Sequence, residues 1–176
     1  MIEISPQTVP VVASGMWHAS WTVENMERTL PFYVDLLGME IVHTQIQDNE
    51  YTRKLVGIPG AKLKAVLLKF RETPPGRSGH VIELMEYLAP KGVKIDTKPC
   101  NVGAAHFAFI TRDVKSMHAR LSAAGVEFVS APVAITAGIN EGGCVCYLHD
   151  PDGFTLELMQ PPAWRFEGAE KAPNIL

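Results

Sequence analysis

Two histidines and two glutamates recur at matched places along the 176-residue chain. His18 and His106 each open a short apolar run, HASWTV and HFAFIT, while Glu83 and Glu157 each sit inside another, VIELMEY and TLELMQP. A carboxylate among Ile, Leu and Met is costly unless it is protonated, paired or metal-bound, and neither IELMEY nor TLELMQ contains Lys or Arg. A divalent cation held by two imidazoles and two carboxylates would satisfy all four groups at once. His18, Glu83, His106 and Glu157 are therefore the candidate metal ligands. Taken singly, each has a plainer reading, a packed strand histidine or a solvated strand glutamate. Their recurrence within an internal repeat favours the metal.

The repeat is read directly. Residues 18–42, HASWTVENMERTLPFYVDLLGMEIV, and 106–129, HFAFITRDVKSMHARLSAAGVEFV, share a histidine-led apolar run, a polar turn, an amphipathic stretch, a glycine and a second apolar run. Gly38 to Glu83 spans 45 positions and Gly125 to Glu157 spans 32, so the first copy carries 13 more residues after its helix. They are expected as surface loops within 44–64 and 70–80, where Gly, Pro and polar residues concentrate.

The elements that must position the four residues follow from periodicity. Met26, Leu30, Tyr33 and Leu37, and then Val114, Met117, Leu121 and Ala124, form apolar helical stripes. Asn25 and Asp113 are the expected N-caps, and Gly38 and Gly125 the expected stops. Pro31 should bend the first helix, because it supplies no amide hydrogen. Strands are expected at 16–23, 39–46, 63–70, 80–88, 104–110, 126–130, 143–149 and 154–160, giving βαβββ twice. Alternation puts His18 and Glu83 on the face away from the helix, with Trp17, Ala19, Trp21 and Leu84 beneath it. His106 and Glu157 repeat this, with Ala105, Phe107, Phe109 and Leu158 inward. The remaining histidines, His43, His80, His118 and His149, lack counterparts and read as surface or loop residues. Cys144 and Cys146 read as ordinary strand packing.

Composition narrows the function classes. A formal charge of −3 without a basic run argues against nucleic acid, and three cysteines are too few for a disulfide framework. No apolar stretch reaches the roughly 18 residues of a membrane span, and the first residues lack a signal-peptide pattern, so a cytoplasmic protein with no membrane partner is expected. The partner is then a small molecule.

The segments HASWTVENMERTLPFYVDLLGMEIV, HVIELMEY, GAAHFAFITRDV and HDPDGFTLELMQ resemble the vicinal oxygen chelate superfamily, the group of glyoxalase I, epimerases, extradiol dioxygenases and bleomycin-resistance proteins. The resemblance covers most of residues 16–162. It implies an α+β fold of two tandem βαβββ modules, forming a curled mixed sheet, or pair of half barrels, around a central metal site. The modules would occupy 16–92 and 100–162, between an N-terminal arm (1–15) and a C-terminal tail (163–176). Ligands come from the first and last strands of each module, which returns His18, Glu83, His106 and Glu157. The metal is Ni, Co, Mn, Fe or Zn, the substrate a small molecule with vicinal oxygens, and the assembly a homodimer.

A glutamate at position 83 favours the lyase and isomerase branch, since extradiol dioxygenases leave that place without a ligand role. The implied chemistry is proton abstraction beside a metal-chelated carbonyl through an enediolate-like intermediate, with Glu157 and Glu83 as catalytic bases. An extradiol-type Fe(II) dioxygenase and a non-catalytic drug-binding protein are the alternatives. Tyr51-Thr52-Arg53 and the following Gly-Ile-Pro-Gly are similar to valiolone epimerases, which makes Tyr51 and Arg53 candidate substrate contacts. Asp150-Pro151-Asp152-Gly153 reads as a tight turn aiming Glu157.

Overall fold

Asn25 starts the first helix as its side chain allows: Oδ1 accepts the Arg28 amide at 2.9 Å. Helix α1 runs Met26–Pro31 and then changes pitch to a π-helical turn at Phe32–Leu36, closed by the Leu37 amide donating to the Phe32 carbonyl. The predicted bend at Pro31 is thus a change of hydrogen-bond register, because proline leaves a carbonyl of the preceding turn without its donor. Gly38, at φ +76°, lets the chain leave in the left-handed region. In the second module Asp113 caps α3 (Val114–Ala123) through the Ser116 amide, and Gly125 ends it at φ +84°.

The computed structural model describes residues 16–71 and 81–167. The N-terminal arm, most of the predicted 70–80 loop with His80, and residues 168–176 lie outside the described residues. The first sheet has the order β1-β4-β3-β2, built from β1 (His18–Thr22), β2 (Met39–Gln47), β3 (Lys62–Phe70) and β4 (Val81–Ala89). The second has the order β5-β8-β7-β6, from β5 (His106–Ile110), β6 (Val133–Ala134), β7 (Cys144–His149) and β8 (Thr155–Gln160). In each, the first strand pairs parallel with the last and the other pairings are antiparallel. Two mixed four-stranded sheets result, and neither closes into a barrel.

Three expectations are corrected. The polar stretch within 44–64 is not all loop: β2 continues to Gln47, and Glu50–Val56 forms helix α2, capped by Asn49 on the Thr52 amide and ended by Gly57 in the left-handed region. Residues 126–130 make one bridge, Phe128 to Leu148, rather than a full strand; Pro132 cannot donate to a ladder, and pairing resumes only at β6. Trp17 precedes β1 and is exposed rather than lying beneath the helix.

The modules share one core. Trp21 of β1 stacks on Phe107 of β5 and on Phe154, with centroids 5.2 and 4.6 Å apart, and Trp21, Leu84, Phe109, Leu148 and Leu158 belong to one buried cluster. These side chains all come from the helix-side faces of the sheets. The Asp-Pro-Asp-Gly turn forms as expected: Asp150 Oδ1 accepts the Asp152 and Phe154 amides, and Gly153 has φ +84°. It also joins the modules. Asp150 Oδ2 accepts from the buried Tyr33 hydroxyl at 2.7 Å, and Asp152 accepts from Thr29 Oγ1, the Glu24 amide and the Arg28 guanidinium.

Candidate metal centre

Strand pairing brings each histidine to its own module's glutamate. In the first sheet, Ser20 stands opposite Glu83, so His18, two residues earlier, shares the Glu83 face. His18 Nε2 lies 3.4 Å from Glu83 Oε2. In the second, Ala108 stands opposite Glu157, and His106 Nε2 lies 3.3 Å from Glu157 Oε2. The glutamate side chains are 16 and 14 % exposed, and each has a histidine as its ion-pair partner, with no Lys or Arg paired to either among the described residues.

The four do not meet within one chain. Among the described residues, no three His, Cys, Asp or Glu side chains are placed to hold one ion. The cause is topological: the modules touch through Trp21, Phe107 and Phe154, on the faces opposite those carrying the ionisable pairs. What the chain presents is two half-sites, each an imidazole nitrogen and a carboxylate oxygen aimed at the same open space. Such a donor set fits a divalent transition ion, and two half-sites supply the N2O2 set that the sequence suggests.

Sequence reasoning missed Tyr147. It stands opposite Glu157 in the β7–β8 register, with its hydroxyl 3.4 Å from His106 Nε2 and its ring 5.1 Å from the imidazole. Burial, reinforced by Glu157, pushes its phenol up, so the hydroxyl stays a neutral donor. Leu67 holds the corresponding place opposite Glu83, so the two half-sites differ chemically. The available signal was alternation in CVCYLH, where Cys146 and Leu148 are buried and Tyr147 must face the other way.

A concavity of about 280 Å³ beside Tyr147 is lined by Val129, Ser130, Val145, Cys146 and Glu157. Burial, with Cys144 and Glu157 nearby, pushes the Cys146 thiol up to about 11, which makes it a packed thiol rather than a soft ligand. His43 is exposed, as a surface reading expects, and lies on the Glu83 face through the His43–Leu67 and Leu67–Glu83 pairings. Tyr51 and Arg53 lie on α2, with Tyr51 exposed and the Arg53 guanidinium paired with Asp48.

Residues 15–158 match the family model described as the Glyoxalase/Bleomycin resistance protein/Dioxygenase superfamily. The chain belongs to that superfamily. A 2-epi-5-epi-valiolone epimerase from Actinomyces sp. is 28% identical over 155 residues, covering 86% of this chain and 81% of the epimerase. A lactoylglutathione lyase from Arabidopsis thaliana is 26% identical over 144 residues, which are 81% of this chain but 43% of the plant protein. This superfamily member thus spans less than half of the plant relatives it matches.

The fold comparison agrees. A glyoxalase family protein from Bacillus cereus superposes with a TM-score of 0.68 at 18% identity, covering 87% of this chain and 97% of that one. Glyoxalase I of Leishmania major gives 0.59 at 22%, covering 90% and 94%. Among the described residues no helix is long and apolar enough to cross a membrane.

Proposed function

We propose that the protein is a metal-dependent epimerase or isomerase of α-hydroxyketones, working as a homodimer whose two metal centres each join half-sites from two copies. The observation that carries this reading is the pairing of each histidine with a glutamate at one sheet's open face, with no third ligand from the same chain among the described residues. Strands β1 and β5, which bear the histidines, are edge strands. Joining β1 of one copy to β5 of the other would satisfy both edges and set the half-sites side by side. Exposed apolar side chains on the second half-site's face, Ile110 and Val129, gain cover in such a pairing.

A divalent ion at this site would supply Lewis-acid stabilisation of the charge that develops on the substrate oxygens. The chain's own groups handle the proton. Glu157, whose carboxylate is mostly shielded from water, takes it from the carbon beside the carbonyl; the second copy's Glu83, on the opposite wall and starting protonated, delivers its own proton to the other face. Tyr147 donates its hydroxyl to a substrate oxygen and fixes the substrate's orientation. The epimerase relative, matched over most of both lengths, supports epimerisation over glutathione-dependent lyase chemistry.

Elemental analysis of the purified protein, with solvent-deuterium exchange into a 2-hydroxyketone, tests the proposal. One ion per protomer and exchange abolished by chelation are expected. A metal-free active protein, or oxygen uptake with catechols and no exchange, would overturn it.

A further inference from the structure

Thr155 occupies the middle of a row of three side chains on the face that carries Glu157. It stands opposite His106 through the parallel β5–β8 pairing, and opposite His149 through the antiparallel β7–β8 pairing. Residues paired in this way share a face, and adjacent strands lie about 4.8 Å apart, so the Thr155 side chain sits between two imidazoles. His149, expected on the surface or in a loop, is the last residue of β7 and half-buried. Its place is fixed from both sides: its amide donates to the Glu127 carbonyl at 2.9 Å, and the next residue, Asp150, accepts from Tyr33.

The row is short of hydrogen bonds. Thr155 is 1 % exposed, and its Oγ1, like the buried Nδ1 of His149, has no hydrogen-bond partner among the described residues. Buried polar groups are nearly always paired, so two orphans opposite each other on neighbouring strands need a reason. Packing does not give one. In the first module Val81 holds the equivalent place beside His18, so the fold accepts an apolar β-branched side chain there. Valine would fill the space of Thr155 without stranding a hydroxyl.

The reason lies in what His106 needs once its Nε2 is engaged. That nitrogen lies 3.3 Å from Glu157 Oε2 and is the one presented to an ion. An imidazole bound through Nε2 carries its hydrogen on Nδ1, and a metal-ligating histidine keeps its orientation by donating that hydrogen to a neighbour. A threonine hydroxyl accepts one such bond and donates its own hydrogen onward, which a neutral imidazole accepts at its bare nitrogen. We infer that Thr155 and His149 are positioning residues for the metal ligand His106: in the loaded centre His106 Nδ1 donates to Thr155 Oγ1, and that hydroxyl donates to His149 Nδ1. The inference rests on the proposed function for the ion and adds the residues that orient one of its ligands. Val81 offers His18 no such support.

The test is cobalt(II) affinity, by competition with a chromophoric chelator at fixed pH, together with thermal unfolding of the metal-free protein. Wild type should bind one cobalt per protomer. Thr155→Val should bind it about 10–100-fold more weakly, the usual cost of removing an outer partner of a ligand. The metal-free variant should unfold at the wild-type temperature or above, since the substitution removes a buried hydroxyl that has no partner. Thr155→Ser should restore most of the affinity, and His149→Leu should repeat the loss in smaller measure. Unchanged affinity in Thr155→Val, a loss that serine does not rescue, a lower unfolding temperature for metal-free Thr155→Val, or full affinity in His149→Leu would overturn the inference and leave the shared metal centre standing. Wild-type protein that takes up no cobalt would remove the metal centre itself, and the inference with it.

Discussion

In the proposed reaction the chemistry turns on Glu83 and Glu157. Each is mostly shielded, with histidine as its ion-pair partner, an environment that suits a group shared between a cation and a proton. Glu157→Gln should lower turnover by about 10²–10⁴-fold, the range for loss of a general base, with Glu83→Gln close behind. Single-turnover deuterium exchange at saturating substrate would measure it, and unchanged exchange would dismiss the residue as a base. Tyr147→Phe should keep the metal and cost about 10–100-fold in turnover through loss of one aimed donor. The four acidic and imidazole residues were legible because the repeat showed them twice. Tyr147 was not, since its counterpart, Leu67, lacks the chemistry and a search for repetition passes over what occurs once.

At the scale of elements, caps and stops were readable because they are local: Asn25, Asp113, Gly38 and Gly125 act through backbone groups within a turn. Helix α2 carried the same signals, Asn49 before and Gly57 after, masked by its setting in a polar insertion. What the sequence could not disclose were contacts between distant segments. Glu86 is one: its buried carboxylate accepts the Met26 amide at the start of α1 and the Lys91 ammonium, both at 2.9 Å. Burial alone would raise its carboxyl, but these two partners outweigh it, and the carboxyl lies below its ordinary value.

A depressed folded value means the stabilisation is complete above the unfolded value near 4.5 and is lost as pH falls through the folded one. Glu86→Ala should therefore cost about 2 kcal/mol at pH 7 by orphaning the amide, and less at pH 3. Urea unfolding at the two pH values would show it; an equal cost at both would reject the linkage. The turn at Asp150 is another such contact. Asp150→Ala should destabilise by about 3 kcal/mol, leaving the Tyr33 hydroxyl and the Phe154 amide without their acceptor, and the same unfolding experiment measures it.

The whole molecule is where sequence and structure part most instructively. Duplication made the two modules and their open faces predictable, and alternation placed all four candidate ligands on those faces. It could not say which faces would meet. Aromatic packing of Trp21 against Phe107 and Phe154 brings the helix sides together, so the ionisable faces point away from the shared core. In the proposed function a single chain offers two halves of a site, and a second copy supplies the complement. Mixing variants tests this most directly. His18→Ala and Glu157→Gln should each be inactive alone, because every site in either homodimer is damaged. Coexpression should restore about a quarter of wild-type turnover, since half of randomly paired dimers carry one intact centre of two. Mixtures as inactive as their parents would contradict a metal centre shared between chains.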